Sequence, residues 1–277
     1  MNDYSYLIIG GDKRQEYLYN ILSSKGKRVD SVFLFDENDI LEGLNKINEA
    51  NIIVLPIPST TDGTTLYAPT IEYKIPLKSI TERITENSIM FTGGENNLFN
   101  ASKAKKTVNL LSDEVMTLKN AMATAEATLA LIIDNTNHTI FESEVLITGY
   151  GRISKILTRY LIDLKAKVTV CARNKNARAE AELFGAKTIG FDKLKESLPN
   201  YKIIINTIPT LIFKKEELEK ININTLIIDL ASKPGGVDFS LAKHLKLNSI
   251  HALSLPGKFS PQTAAEFIEE AINNTLI

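Results

Sequence analysis

The run Val145-Leu146-Ile147-Thr148 passes without a linker into Gly149-Tyr150-Gly151-Arg152-Ile153-Ser154, and Ile153, Ile156, Leu157, Tyr160, Leu161 and Leu164 then recur at helical spacing. A buried strand that turns on glycine into an amphipathic helix leaves few folds open, because the strand needs parallel neighbours and the helix must lie on their sheet. Gly149 supplies the tight turn. Gly151, lacking a Cβ, lets a diphosphate approach the backbone beside the positive end of the helix. Gly149, Tyr150, Gly151, Arg152 and Ile153 are thus the expected cradle of a dinucleotide. The third fingerprint position holds Ser154, small enough to keep helix and strand close. A strand-turn-helix without a ligand has the same local pattern, so the neighbouring strands must carry the distinction.

The next strand, 167–171, leads to Ala172-Arg173-Asn174-Lys175. An NAD site would hold the ribose 2′-hydroxyl here with an acid. A carboxylate repels a 2′-phosphate, whereas the Arg173 guanidinium pairs with one bidentately, so the expected cofactor is NADP(H). Asn174, Lys175 and Arg178 are near enough to complete an anion pocket, although a solvated basic face would read the same way. Strand 203–207 ends in Thr207-Ile208-Pro209, expected beside the nicotinamide ribose. Strand 225–230 runs into Ala231-Ser232-Lys233-Pro234-Gly235-Gly236, a turn suited to close contact with a ligand.

With 277 residues the chain exceeds a usual single core. Apolar runs at 6–9, 29–35, 52–57 and 88–92 alternate with helix-compatible stretches such as 14–24 and 38–49. The second half repeats this at 144–148, 167–171, 203–207, 225–230 and 249–253. The expected fold class is α/β, with two Rossmann-like lobes of parallel sheet. Residues 1–117 form a Rossmann-like or flavodoxin-like domain, completed by a C-terminal helix 260–277 that returns to it. Residues 118–259 form the NADP-binding Rossmann domain, opened by a connecting helix 118–134. On that helix Leu118, Met122, Ala125, Leu129, Ile132 and Ile133 share one face, with Asn120, Thr124 and Thr128 as a polar stripe. Ser260 is expected to cap the last helix, with Pro261 at its first position and Ala264, Phe267, Ile268, Ala271 and Ile272 buried.

The 32 basic and 33 acidic residues leave a formal charge of -1, a balance that favours neither nucleic acid nor anionic lipid. No apolar run reaches membrane-spanning length, the chain opens in a strand without a basic leader, and Cys171 stands alone, so a cytoplasmic address is expected. His138, His244 and His251 share no metal-ligand spacing and none is placed as an acid-base, so no metal is expected. Cys171 reads as a small buried hydrophobe. Asp12 and Asp62 read as turn residues, Asp12 close enough to orient Arg14. The hydroxyls of Ser59 and Thr60, just past a strand, are expected to line the ligand edge, and the glycine turn at 93–97 carries a weaker version of the same expectation.

Several segments together resemble the dipicolinate synthase A-subunit family: Gly10-Gly11-Asp12-Lys13-Arg14-Gln15, Asn120-Ala121-Met122-Ala123-Thr124-Ala125-Glu126, Gly149-Tyr150-Gly151-Arg152, the run from Asp229 through Gly236, and Leu255-Pro256-Gly257-Lys258-Phe259-Ser260-Pro261-Gln262-Thr263-Ala264. The glycine loop alone resembles 2-hydroxy-acid dehydrogenases as well; the last two segments discriminate. Departures are Ala123 where the family tends to have proline, Thr128 where a small residue is common, and Ser154. The resemblance implies oxidation of a dihydrodipicolinate, derived from 4-hydroxy-tetrahydrodipicolinate of the lysine pathway, to dipicolinate in the mother cell of a sporulating bacterium. It implies NADP as hydride acceptor and, for partner, the flavoprotein B-subunit of dipicolinate synthase, with FMN only in that partner; a homodimer is also compatible. Aromatisation supplies driving force, so the protein mainly holds two carboxylates and aligns a carbon with the nicotinamide. Lys233, Lys258 and Arg14 are the expected carboxylate binders, with Asn120 and Thr124 as hydrogen-bond donors. Glu126 is the expected base, its carboxyl raised by partial burial, with a solvated glutamate as the alternative. Two rivals stay open: an NADP-linked dehydrogenase of another small acid, and a nucleotide-binding scaffold without catalysis.

Overall fold

The computed structural model describes residues 4–35 and 40–276. The first two residues of the expected stretch 38–49, and the last of 260–277, lie outside the described residues. The chain divides into one unit of Met1–Asn120 with Pro256–Ile277 and a second of Ala121–Leu255.

In the first unit β1 (Ser5–Ile9), α1 (Lys13–Ser24), β2 (Arg28–Val32), α2 (Ile40–Lys46), β3 (Ile52–Val54), α3 (Leu77–Thr81), β4 (Ile89–Thr92), α4 (Asn97–Asn100) and β5 (Lys106–Asn109) follow in order. The five strands are parallel in the order β2-β1-β3-β4-β5. A parallel sheet covered on both faces needs continuous apolar strands at its centre. Ile52, Ile53 and Val54 meet that need, all buried, each contributing roughly 1.5–3 kcal/mol of transfer free energy. Leu7, Ile9 and Ile53 point into one core layer with Phe33, Leu44 and Ile80. Tyr6, Ile8, Ile52 and Val54 point into the other with Leu18 and Leu22 of α1. That second layer is closed by α12 (Pro261–Leu276), which follows α11 (Leu255–Phe259) and inserts Ala265, Ile268, Ala271 and Ile272, so the last helix does return to the first unit. Ser260 does not cap it: among the described residues its Oγ is buried without a hydrogen-bond partner. The edge strand β5 is missing from the expected set because Lys-Thr-Val-Asn carries no apolar run, as edges often do not.

A 22-residue helix α5 (Glu114–Asn135) passes from the first unit into the second. It starts four residues before the expected 118, and its buried face differs from the expected one. Leu118 is 45% and Ile133 68% exposed, while Ala121, Ala123, Ala125, Ala127, Thr128 and Ile132 are buried. Small residues carry the burial, which a reading weighted by hydrophobicity passes over. Thr128 also leaves the polar stripe: its hydroxyl is turned back to the Thr124 carbonyl at 2.7 Å.

The second unit contains β6 (Glu144–Thr148), α6 (Arg152–Asp163), β7 (Lys167–Cys171), α7 (Lys175–Leu183), β8 (Lys187–Ile189), α8 (Leu194–Ser197), β9 (Ile203–Asn206), α9 (Lys215–Leu218), β10 (Leu226–Asp229), α10 (Phe239–His244) and β11 (Asn248–His251). Its strands run parallel in the order β11-β10-β9-β6-β7-β8, the doubly wound arrangement whose direction reverses between β6 and β9. Val145, Ile147, Ile203 and Ile205 face one core with Leu157 and Leu161 of α6. Leu146, Ile204 and Ile227 face the other with Phe213 and Leu218. The three-residue edge strand β8 is the second one the apolar runs miss. Among the described residues no helix is long and apolar enough to cross a membrane.

In the first unit the loops after β3 and β4 lock together. Gly93 donates its amide to Ser59 Oγ (2.7 Å), and a Cβ there would fall 2.2 Å from the Pro56 carbonyl oxygen. Gly93→Ala is therefore expected to cost about 1–3 kcal/mol, read as a lower urea midpoint at unchanged slope; a wild-type midpoint would mean that the two loops part freely.

Candidate functional site

β6 ends at Thr148, and the backbone turns at Gly149 with φ +90°, a conformation that favours glycine. A Cβ at Gly149 would meet Thr207 Oγ1 at 2.5 Å and Ile208 at 2.9 Å, so the loop after β9 presses onto the loop after β6. Gly151 then caps α6 with no side-chain hydrogen bond, and a Cβ placed on it meets nothing within 4 Å. An uncapped helix N-terminus opening on free space beside a glycine is a fit for a diphosphate. Ser154 replaces the third glycine without loss of closeness. Thr207 Oγ1 donates to the Thr148 carbonyl (2.8 Å), which leaves it to accept from Ser154 Oγ (2.8 Å), and the buried serine so ties α6 to β9.

Arg152 is exposed and Ile153 half-buried against the core. The Tyr150 ring lies 5.7 Å from the Lys155 ammonium, and its hydroxyl is buried without a hydrogen-bond partner among the described residues. Burial, followed by the Glu180 charge, pushes its pKa up.

Past β7, Arg173 and Lys175 are exposed, and among the described residues their side chains have no hydrogen-bond or ion-pair partner. Asn174 departs from the expected role: its Oδ1 caps α7 by accepting from Asn176 N (2.8 Å), so only its amide group is open. Arg178 Nη1 donates back to the carbonyls of Ala172 (2.6 Å) and Arg173 (3.1 Å), which stiffens the turn rather than extending the anion pocket. Thr207 and Ile208 are half-buried, Pro209 exposed and Ala231 buried.

Asn206 and Asp229 end two central strands, and both are buried. Neither is assigned a role by sequence reasoning, although two interior strands that each close on a polar amide or acid are a signal. Thr148 Oγ1 donates to Asn206 Oδ1 (2.6 Å), and Asn206 Nδ2 donates to Asp229 Oδ1 (2.7 Å). Cys171, beside Thr148 in the ladder, is buried and its thiol pushed up to about 12 by desolvation, which suits a packing role.

In the first unit, Arg14 is only 5% exposed and already engaged. Its Nε and Nη2 fork onto Asp12 (2.9 and 2.8 Å), and Nη2 also donates to the Ile57 carbonyl. Arg14 thereby holds the loops after β1 and β3 together. Burial raises the Asp12 carboxyl, but the hydrogen bonds and charge of Arg14, with the Tyr67 hydroxyl, outweigh it and hold the group below the usual range. Asp12 also caps α1 in a capping box with Gln15.

Ser59 and Thr60 are likewise engaged within the chain. Ser59 Oγ is buried between the Pro56 carbonyl and the Gly93 amide, and Thr60 Oγ1 closes a turn with Asp62 and Gly63. Asp62 collects donors from Thr60, Thr64 and Thr65, whose hydrogen bonds hold its carboxyl far below the usual range. Glu126 is exposed, so the partial burial expected of a tuned base is not there. Asn120 and Thr124 are half-buried. Lys233 is exposed in the second unit; Lys258 is exposed in the first, on the short helix α11.

The family model for the N-terminal domain of the dipicolinate synthase A-subunit matches residues 5–112, and the model for shikimate / quinate 5-dehydrogenase matches residues 131–254. The chain is 30% identical to the dipicolinate synthase A-subunit of Bacillus subtilis (strain 168), over 97% of this chain and 94% of that one. The dipicolinate synthase A-subunit from Bacillus halodurans superposes with a TM-score of 0.87 at 27% identity, covering 99% of this chain and 98% of that one. The corresponding crystal structure from Bacillus subtilis gives 0.84 at 28% identity, with 100% and 96% covered.

Breaking a buried pair strands its partner. Asp12→Asn is expected to cost about 3–5 kcal/mol at neutral pH. Because the native carboxyl titrates below its unfolded value, the wild-type contribution is complete above the ordinary carboxylate range and fades as pH falls through the lowered native value. Urea midpoints of wild type and variant, followed from about pH 7 to about pH 3, should converge toward acid; a constant separation would sink the assignment.

Proposed function

The chain belongs to the dipicolinate synthase A-subunit family, and from that premise we propose that it is an NADP-dependent oxidoreductase that converts a dihydrodipicolinate, derived from 4-hydroxy-tetrahydrodipicolinate, to dipicolinate. The observation that carries the reading is the pairing of the uncapped α6 N-terminus at Gly151 with the free guanidinium of Arg173, on adjacent parallel strands of a dehydrogenase-like fold. When bound, NADP supplies the hydride acceptor. The backbone of Gly149, Tyr150, Gly151, Arg152 and Ile153 holds the diphosphate. Arg173, Lys175 and the open amide of Asn174 hold the 2′-phosphate, and Thr207, Ile208, Pro209 and Ala231 border the nicotinamide riboside.

In the second unit the exposed ammonium of Lys233 neutralises a substrate carboxylate. Loss of hydride leaves a ring proton to remove. Glu126, being exposed, accepts it and passes it to water. The partner is the FMN-carrying B-subunit, and the complex, with or without dimerisation of this chain, works in the cytoplasm of a sporulating mother cell.

The exposure of Glu126 favours one second reading, a dinucleotide-binding scaffold whose flavin partner performs the oxidation. NADPH absorbance followed in the reconstituted complex separates the two: a scaffold tolerates Glu126→Ala and Lys233→Ala, whereas the enzyme loses turnover with both. Calorimetry tests the shared premise. Arg173→Ala is expected to weaken NADPH by about 10- to 100-fold, the worth of a charged hydrogen-bonded pair, and to leave NADH nearly unchanged. Equal losses for both coenzymes, or no binding of either to the wild type, would overturn the cofactor assignment.

A further inference from the structure

A single row of side chains crosses the carboxyl edge of the second sheet. Thr148, Asn206, Asp229 and His251 are register partners on β6, β9, β10 and β11, so they share one face. Hydrogen bonds run along the row in one direction. The Thr148 hydroxyl donates to Asn206 Oδ1, and the Asn206 amide donates to Asp229 Oδ1 (2.7 Å) and to the Ile208 carbonyl (3.0 Å). Asp229 also accepts from two backbone amides, Ala231 N on Oδ1 (3.1 Å) and Gly236 N on Oδ2 (2.7 Å). The far end is braced by His251, whose Nε2 lies 3.1 Å from the Ala231 carbonyl while its ring stacks on Phe239 at 5.0 Å.

Asp229 is 0% exposed, and among the described residues no cation pairs with it. A buried anion satisfied by amides alone is a costly choice for a strand end. Its geometry shows what it does there. Three N–H donors converge on two oxygens, and an asparagine of the same size would turn an NH₂ toward one of them. Those donors belong to two loops: through Asn206 the carboxylate reaches the loop at Ile208, and directly it grips both ends of the turn 231–236. No slack remains. A Cβ at Gly235 would lie 2.8 Å from Asp229 Oδ2, and one at Gly236 2.2 Å from Asn206 Nδ2.

We propose that Asp229 is a positioning residue that clamps the turn carrying Lys233 against the loop at 207–209, so that both loops meet one bound ligand as a unit. The inference rests on the dinucleotide reading of this edge. Asp229 bonds neither the 149–153 backbone nor Arg173, so its signature is separable from recognition of the 2′-phosphate.

The test uses the full chain reconstituted with its flavoprotein partner, comparing wild type, Asp229→Asn, Lys233→Ala and the double variant. Asp229→Asn is expected to raise KM for the dicarboxylate about tenfold, with no further rise in the Lys233→Ala background, and to weaken NADPH and NADH by the same factor, unlike Arg173→Ala. Additive losses in KM, or a weakening of NADPH that spares NADH, would overturn the clamp. Should Asp229→Asn fail to fold, Gly235→Ala, which crowds the carboxylate without removing it, must give the same non-additivity. Amide hydrogen exchange keeps this proposal apart from the cofactor reading: exchange at Ala231 and Gly236 should rise at least about tenfold in the variant, with 144–148 unchanged, whether or not a dinucleotide binds. Unchanged exchange at those amides would refute the clamp by itself.

Discussion

The close approach of the β9 loop to the β6 loop governs the second unit. Gly149 is where it happens: with φ +90° and the Thr207 hydroxyl and Ile208 side chain standing where a Cβ would project, any other residue is strained and must displace those side chains. The approach is secured by polar ties more than by packing. Ser154 donates to Thr207, Thr207 to the Thr148 carbonyl, and Thr148 to Asn206. A serine at the third fingerprint position therefore acts as a crosslink. The glycine it replaces could offer closeness but no bond.

The two units share a parallel topology yet finish their carboxyl edges in opposite ways. In the first, α1 begins under its own Asp12, which satisfies the helix amides, and the buried Arg14 is neutralised by the same carboxylate. The donors at that helix start are already matched to an anion of the chain itself. In the second, α6 begins at Gly151 with no side-chain cap, and the nearest strand end offers an exposed guanidinium. A helix start without a side-chain cap and an exposed guanidinium mark an edge where a phosphate ligand gains most, and they occur together in the second unit.

What could be read from sequence followed the range of the interactions involved. The central strands were legible because burial on both faces forces Ile, Val and Leu to run consecutively, and the phosphate loop because its residues are neighbours in the chain. The edge strands β5 and β8 were not, since one free edge lets Lys, Thr and Asn stand in a strand. Helix α5 misled for a related reason: alanines do the packing, and the large apolar residues Leu118 and Ile133 are left outside. In the site, Arg14, Ser59 and Thr60 have the chemistry of ligand donors, but turns and a buried pair consume them. Asp229 was invisible as a clamp because its partner at Asn206 is fixed by strand register across 23 positions, which no local pattern encodes.

A chain with 32 cations and 33 anions has no global field with which to attract a highly anionic coenzyme. Recognition then depends on short-range groups, and these work best where water and competing carboxylates are kept away. The second unit meets that condition by burying its strand-end carboxylate: Asp229 faces Asn206 and two backbone amides inside the protein, so its charge is spent on holding loops together. Past the end of β7, where an acid would repel a 2′-phosphate, Arg173 stands exposed. The position of one buried carboxylate and one exposed guanidinium along the same sheet edge thus separates charge used inside the protein from charge open to solvent, without any change in net charge.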